Sequence, residues 1–88
     1  MDQPVKLLIV PRKTTRRELV PRIRRHFEER FNRDEKLADV CVYNDKCYVK
    51  VQKPVVEFAE NGRLQYHDIE FNLRYEIVRG AGGVVMEG

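Results

Sequence analysis

The 88-residue chain contains no serine, which removes every mechanism that rests on a serine nucleophile. It has no apolar run longer than Leu7 to Val10, far short of the ~20 residues a membrane-spanning helix needs. Its first residues lack the basic, apolar and small-residue succession of a secretory signal. Cysteine is scarce: Cys41 and Cys47 lie six apart, without the C-x-x-C or Cys/His spacing of a metal site. Their β-prone surroundings predict two small buried hydrophobes in a reducing, cytoplasmic compartment. Glycine clusters only at Gly80, Gly82 and Gly83, where no helix follows, so a phosphate-cradling loop is not expected there. Neither a metal ion nor a cofactor is expected, and no membrane association.

What is present describes a small folded domain. Apolar residues make up 42% and charged residues 35%, too apolar for a disordered chain. The length suits one domain, placed at residues 1–79, with 80–88 as a flexible Gly-rich tail whose Val84-Val85-Met86 can add a short strand. A chain of this size buries roughly 60–65% of its unfolded surface, so stability is marginal or shared with a partner.

The net charge of +3 is unevenly spread. Residues 11–33 hold nine basic side chains (Arg12, Lys13, Arg16, Arg17, Arg22, Arg24, Arg25, Arg30, Arg33) and three acidic ones (Glu18, Glu28, Glu29). That segment carries a surplus of six positive charges, and the remainder a deficit of three. Eight of the nine are arginine, whose planar fork suits phosphate. The competing reading is a surface of ion pairs, as in thermostable proteins, with Glu18–Arg22 and Arg25–Glu29 spaced as helical i,i+4 partners.

Val5 to Val10, bounded by Pro4 and Pro11, reads as a first strand buried on both faces. Thr15-Arg16-Arg17-Glu18 has the form of a capping box. The helix it opens is expected to run to about Asn32, kinked at Pro21, with Leu19, Ile23, Phe27 and Phe31 as its core stripe. His26 is expected on a solvated flank. Beyond Ala38 the period changes to two. A tight turn at Asn44-Asp45 sets Val42 opposite Cys47, Val40 opposite Val49 and Asp39 opposite Lys50, which puts the two cysteines on different faces. Gln52-Lys53-Pro54 is expected to break the next strand. Asn61-Gly62 marks a second hairpin closed by Glu60 and Arg63, and His67-Asp68 a bulge before the alternating strand 69–78.

No constellation here points to catalysis. A Cys/His dyad has no local signature, and the adjacent Glu28 and Glu29 diverge by about 100° on a helix. The order β-α-β-β-β-β predicts an α+β fold: a largely antiparallel twisted sheet of four to six strands with one amphipathic helix packed on one face. The first strand is expected beside the strand that follows the helix. A non-enzymatic nucleic-acid-binding module is the expected function, for DNA or RNA alike. Arg12, Lys13, Arg16, Arg17, Arg24 and Arg25 would contact phosphate, and Tyr43 and Tyr48 would stack on bases. The alternative is a homodimer or other self-assembly that uses the uncovered sheet face, where Tyr43, Tyr48, Phe58 and Tyr66 are expected.

Overall fold

Thr15 starts the helix as its position implies. Its backbone is extended and its hydroxyl accepts from the Glu18 amide at 3.4 Å, satisfying one of the first-turn donors. A computed structural model, which describes residues 6–88, continues this helix, α1, through Arg16–Glu28. Pro21 lies inside it without ending it. Leu19, Ile23 and Phe27 are buried on one face, and Phe31 packs at the margin of the same cluster.

Five strands complete the fold: β1 (Leu7–Pro11), β2 (Lys36–Tyr43), β3 (Lys46–Phe58), β4 (Leu64–Gly80) and β5 (Met86–Glu87). They form one mixed sheet in the order β2-β3-β4-β1-β5, antiparallel except where β1 runs parallel to β4. The architecture is thus α+β, an open and mostly antiparallel sheet with one helix on one face. β1 lies beside β4, not beside the strand after the helix. β3 and β4 form a long hairpin, with β2 on the outer side of β3 and β1 on the outer side of β4. Val5, expected in the first strand, lies outside the described residues. Leu7 is exposed and Ile9 only partly buried, because the face away from the helix has no cover.

The first hairpin has the expected register. Val42 pairs with Cys47, Val40 with Val49 and Asp39 with Lys50. Asn44 and Asp45 have φ of 48° and 59°, the left-handed pair that a two-residue turn between twisted strands requires. Cys47 is buried and Cys41 exposed on the opposite face, so only one thiol is a core residue. The helix side of the sheet supplies Leu8, Val10, Val40, Val42, Cys47, Val49, Val51 and Tyr75 to a core shared with α1. Residues 83–88 return to the sheet: β5 pairs with β1, Val85 packs on the core, and the Tyr75 hydroxyl donates to the Glu87 carboxylate at 2.9 Å.

Pro54 does not break β3. The β3–β4 ladder runs without a shift from Lys46↔Glu76 to Phe58↔Leu64, so His67-Asp68 forms no bulge either. The amide bonds explain both. Ile77 and Ala59 bond across to Asp45 and Arg63, so odd-numbered residues carry the ladder bonds. Pro54 and Asp68 are therefore a non-hydrogen-bonded pair, and the missing N–H points to the outer edge, past the last β2 pair at Lys36↔Gln52. The change of apolar parity between Tyr66 and Ile69 needs no bulge, because this part of the ribbon lies beyond the helix and has no single buried face. The turn at its tip closes on Ala59 and Arg63 through a three-residue loop, with Gly62 at φ 78°, so Glu60 and Arg63 do not face each other.

Residues 53–58 and 64–69 thus form a two-stranded arm with no outer strand neighbour among the described residues. The molecule measures 56 × 31 × 19 Å, with a radius of gyration of 16.1 Å against about 12 Å for a compact chain of this length. Val56, Phe58, Leu64 and Tyr66 share one face of the arm, and Phe58 and Tyr66 are 80% and 73% exposed.

Candidate nucleic-acid interface

The loop that leads into α1 is built from long range. Arg79, near the end of β4, donates from Nη1 to the carbonyls of Pro11 (3.3 Å), Arg12 (3.2 Å) and Thr14 (2.7 Å). Thr14 is buried beneath the loop, its amide bonded to the Pro11 carbonyl at 3.3 Å. Arg12 and Lys13, both exposed, are thereby held at the N-terminal end of the helix beside Arg16 and Arg17. The exposed helix amides there add a partial positive charge to the side-chain cations. A hollow of about 300 Å³ adjoins this end, bordered by Arg16, Tyr43, Asn44, Asp45 and Arg79.

The helix divides the remaining arginines. Arg17 and Arg24 are seven residues apart, two turns to within about 20°, and share one flank. Arg25 lies about 100° beyond Arg24 and falls on the other flank, with Arg22, His26 and Glu29. Those four residues, with Arg30 and the segment Gly83 to Val85, line a second hollow of about 500 Å³.

Ion pairing does not neutralise either group. Among the described residues, the only acidic and basic side chains within 4.0 Å of each other are Glu57 and His67, at 3.6 Å on the arm. The Glu18–Arg22 and Arg25–Glu29 contacts expected from spacing are not formed. All nine cations of residues 12–33 are exposed except Arg24, which is half-buried.

Tyr43 and Tyr48 share the sheet face turned away from the helix, with Lys46 and Lys50 on the same side, as the hairpin register implies. The Arg74 guanidinium lies 5.8 Å from the Tyr48 ring centre, an additional cation on that face. Tyr48 is consequently on the side of the sheet opposite to Arg17 and Arg24. Tyr43, at the end of β2, borders the same hollow as Arg16. The expected site residues therefore form a cationic end and flank around α1, plus a separate aromatic patch on the open sheet face.

His26 is not solvated. Its residue is 6% exposed, its ring meets Phe27 edge-on at 5.0 Å, and its Nε2 has no hydrogen-bond partner among the described residues. Burial first, and the Arg30 charge second, hold its pKa below the ordinary 6.5, against opposing effects of Glu87, the Val85 carbonyl and Glu29. Arg30 is kept close by a 3.4 Å bond from Nη1 to the His26 carbonyl. Arg79 left no sequence signal, because its partners are 65 to 68 positions away. Arg22, Arg25, His26 and Glu29 did leave one, the i, i+3, i+4, i+7 spacing of a single helix flank. No three His, Cys, Asp or Glu side chains converge as a metal site among the described residues, and none of their helices is long and apolar enough to cross a membrane. In comparisons with known proteins, no family model, no curated protein and no solved structure matches the chain.

Proposed function

We propose that this protein binds nucleic acid, DNA or RNA, through Arg12, Lys13, Arg16, Arg17 and Arg24. The observation that carries the reading is that these cations, exposed except for the half-buried Arg24, gather around the start and one flank of α1 with no carboxylate within ion-pairing distance. Unpaired cations on a rigid helix repel one another, and a phosphate backbone is a ligand that relieves this while releasing its own counterions. Arg79 supports the reading by fixing the loop that presents Arg12 and Lys13, which lowers the ordering cost of binding. Arg25 contributes from the other flank, and Tyr48 with Arg74 offers a stacking surface to a strand that passes around the sheet edge.

Fluorescence anisotropy with labelled single- and double-stranded DNA and RNA tests this across a salt series. Affinity is expected to fall steeply with salt, and Arg16→Ala, Arg17→Ala and Arg24→Ala together are expected to weaken it for every sequence. Binding that is absent at low ionic strength, or indifferent to salt, overturns the reading.

A second reading, self-association, has its own observation: the apolar face of the arm, Val56, Phe58, Leu64 and Tyr66, is left uncovered on a two-stranded ribbon. Such ribbons are marginal in water until a further layer covers them. Light scattering over a concentration series tests it, and a strict monomer at high concentration rejects it.

A further inference from the structure

We propose that the hollow between the Arg22/Arg25 flank of α1 and the C-terminal segment Gly83 to Val85 binds a phosphate monoester of mononucleotide size. Arg22, Arg25 and Arg30 would be its anion-holding groups. This site lies on the flank opposite to Arg17 and Arg24 and shares only Arg25 with the nucleic-acid reading above, on which it does not rest.

Charge points to the ligand class. Three guanidinium groups and one carboxylate, Glu29, line the hollow, and none of the four is ion-paired among the described residues. Their sum is two positive charges, the complement of a phosphomonoester dianion. Guanidinium forks bind such a group through paired N–H donors, which a lysine-lined site would not do.

Size points to what the phosphate is attached to. A hollow of about 500 Å³ exceeds the needs of a bare phosphate and falls in the range of small-molecule sites. Val84 and Val85 add apolar wall, and Glu29 can accept from a hydroxyl or amino group.

His26 is the independent observation. It lines the hollow, is almost wholly buried, and keeps Nε2 without a hydrogen-bond partner among the described residues. Buried ring nitrogens are nearly always partnered, so one without a partner calls for an explanation, and a ligand bound in the adjoining hollow is the one we draw. An anion seated beside Arg30 would offset the charge that disfavours the protonated ring.

The test uses the full chain, with adenosine 5′-monophosphate and adenosine as probes in a ¹⁵N NMR titration. The monophosphate is expected to shift the amides of residues 22–30 and 83–85, and adenosine is expected to leave them unmoved. Arg22→Gln with Arg25→Gln should weaken monophosphate binding roughly tenfold or more. Lys53→Gln with Arg63→Gln, which removes the same charge from the arm, should change it less than about twofold. Equal shifts from adenosine, equal losses from both double variants, or no shift at either set of amides overturn the proposal. A second arm compares a short oligonucleotide bearing a 5′-phosphate with its 5′-hydroxyl form. Tighter binding of the phosphorylated strand than of its 5′-hydroxyl form, with shifts at residues 22–30 and 83–85, makes a strand end the source of the phosphate, and equal binding of the two strands makes it a free nucleotide.

Discussion

The Arg79 guanidinium donates to the Thr14 carbonyl at 2.7 Å, joining the end of the longest strand to the residue before the helix cap. The same nitrogen reaches the Pro11 and Arg12 carbonyls, so one cation gathers three acceptors that would otherwise compete for water. A charge inside the basic region is thereby used to shape the loop that carries two others.

Replacing Arg79 with Met keeps much of the side-chain length and removes the donors. Stability is expected to fall by about 1–2 kcal/mol in urea denaturation, the range for a partly exposed charge-assisted contact. Nucleic-acid affinity should also fall. Arg17→Ala, a direct phosphate contact on this reading, should instead leave stability within about 0.5 kcal/mol and reduce the salt slope by about one.

His26 makes stability depend on pH in one direction. Its folded pKa lies below the unfolded 6.5, so the unfolded chain takes up the proton first as pH falls. Stability is expected to be full above pH 6.5 and to decline as the solution is acidified below it. Denaturation at pH 7.5 and 5.5 checks this against His26→Gln, which should flatten that part of the profile.

The two cysteines should differ in reactivity. Burial raises the Cys47 thiol to about 11 and removes it from reagent, whereas Cys41 is exposed. One equivalent of iodoacetamide adduct is expected on the native protein, at Cys41 by mass spectrometry, and two after unfolding.

Core and arm should respond oppositely to truncation. Ile23 is fully buried beneath α1, and Ile23→Ala is expected to lower stability by about 2–5 kcal/mol. Phe58→Ala, at the tip of the arm, should change the monomer by less than about 0.5 kcal/mol, although it removes a larger side chain. A large loss at Phe58 would mean that the arm is packed in solution, which a concentration-dependent loss would trace to a second copy.

The sequence alone determined whatever depends on neighbours a few residues apart. Thr15 and the Leu19, Ile23, Phe27 spacing specify the helix and its buried face, because helical period and capping are local. Asn44-Asp45 and the alternation around it specify the first hairpin from the turn to Asp39↔Lys50, because a one-place slip would turn every valine outward, while the register shift between Leu37 and Asp39 had no such local signal. Tertiary structure decided the rest. Pro54 is tolerated only because β2 has already ended on its outer side, and β1 joins the edge of β4, not that of β2, through contacts far apart in the chain. His26 is buried by the returning C-terminal segment, and Arg12 is positioned by Arg79, both through contacts that close large loops. Helical spacing sets which flank of α1 each arginine occupies, and the long-range contacts of Arg79 set where Arg12 lies beside them.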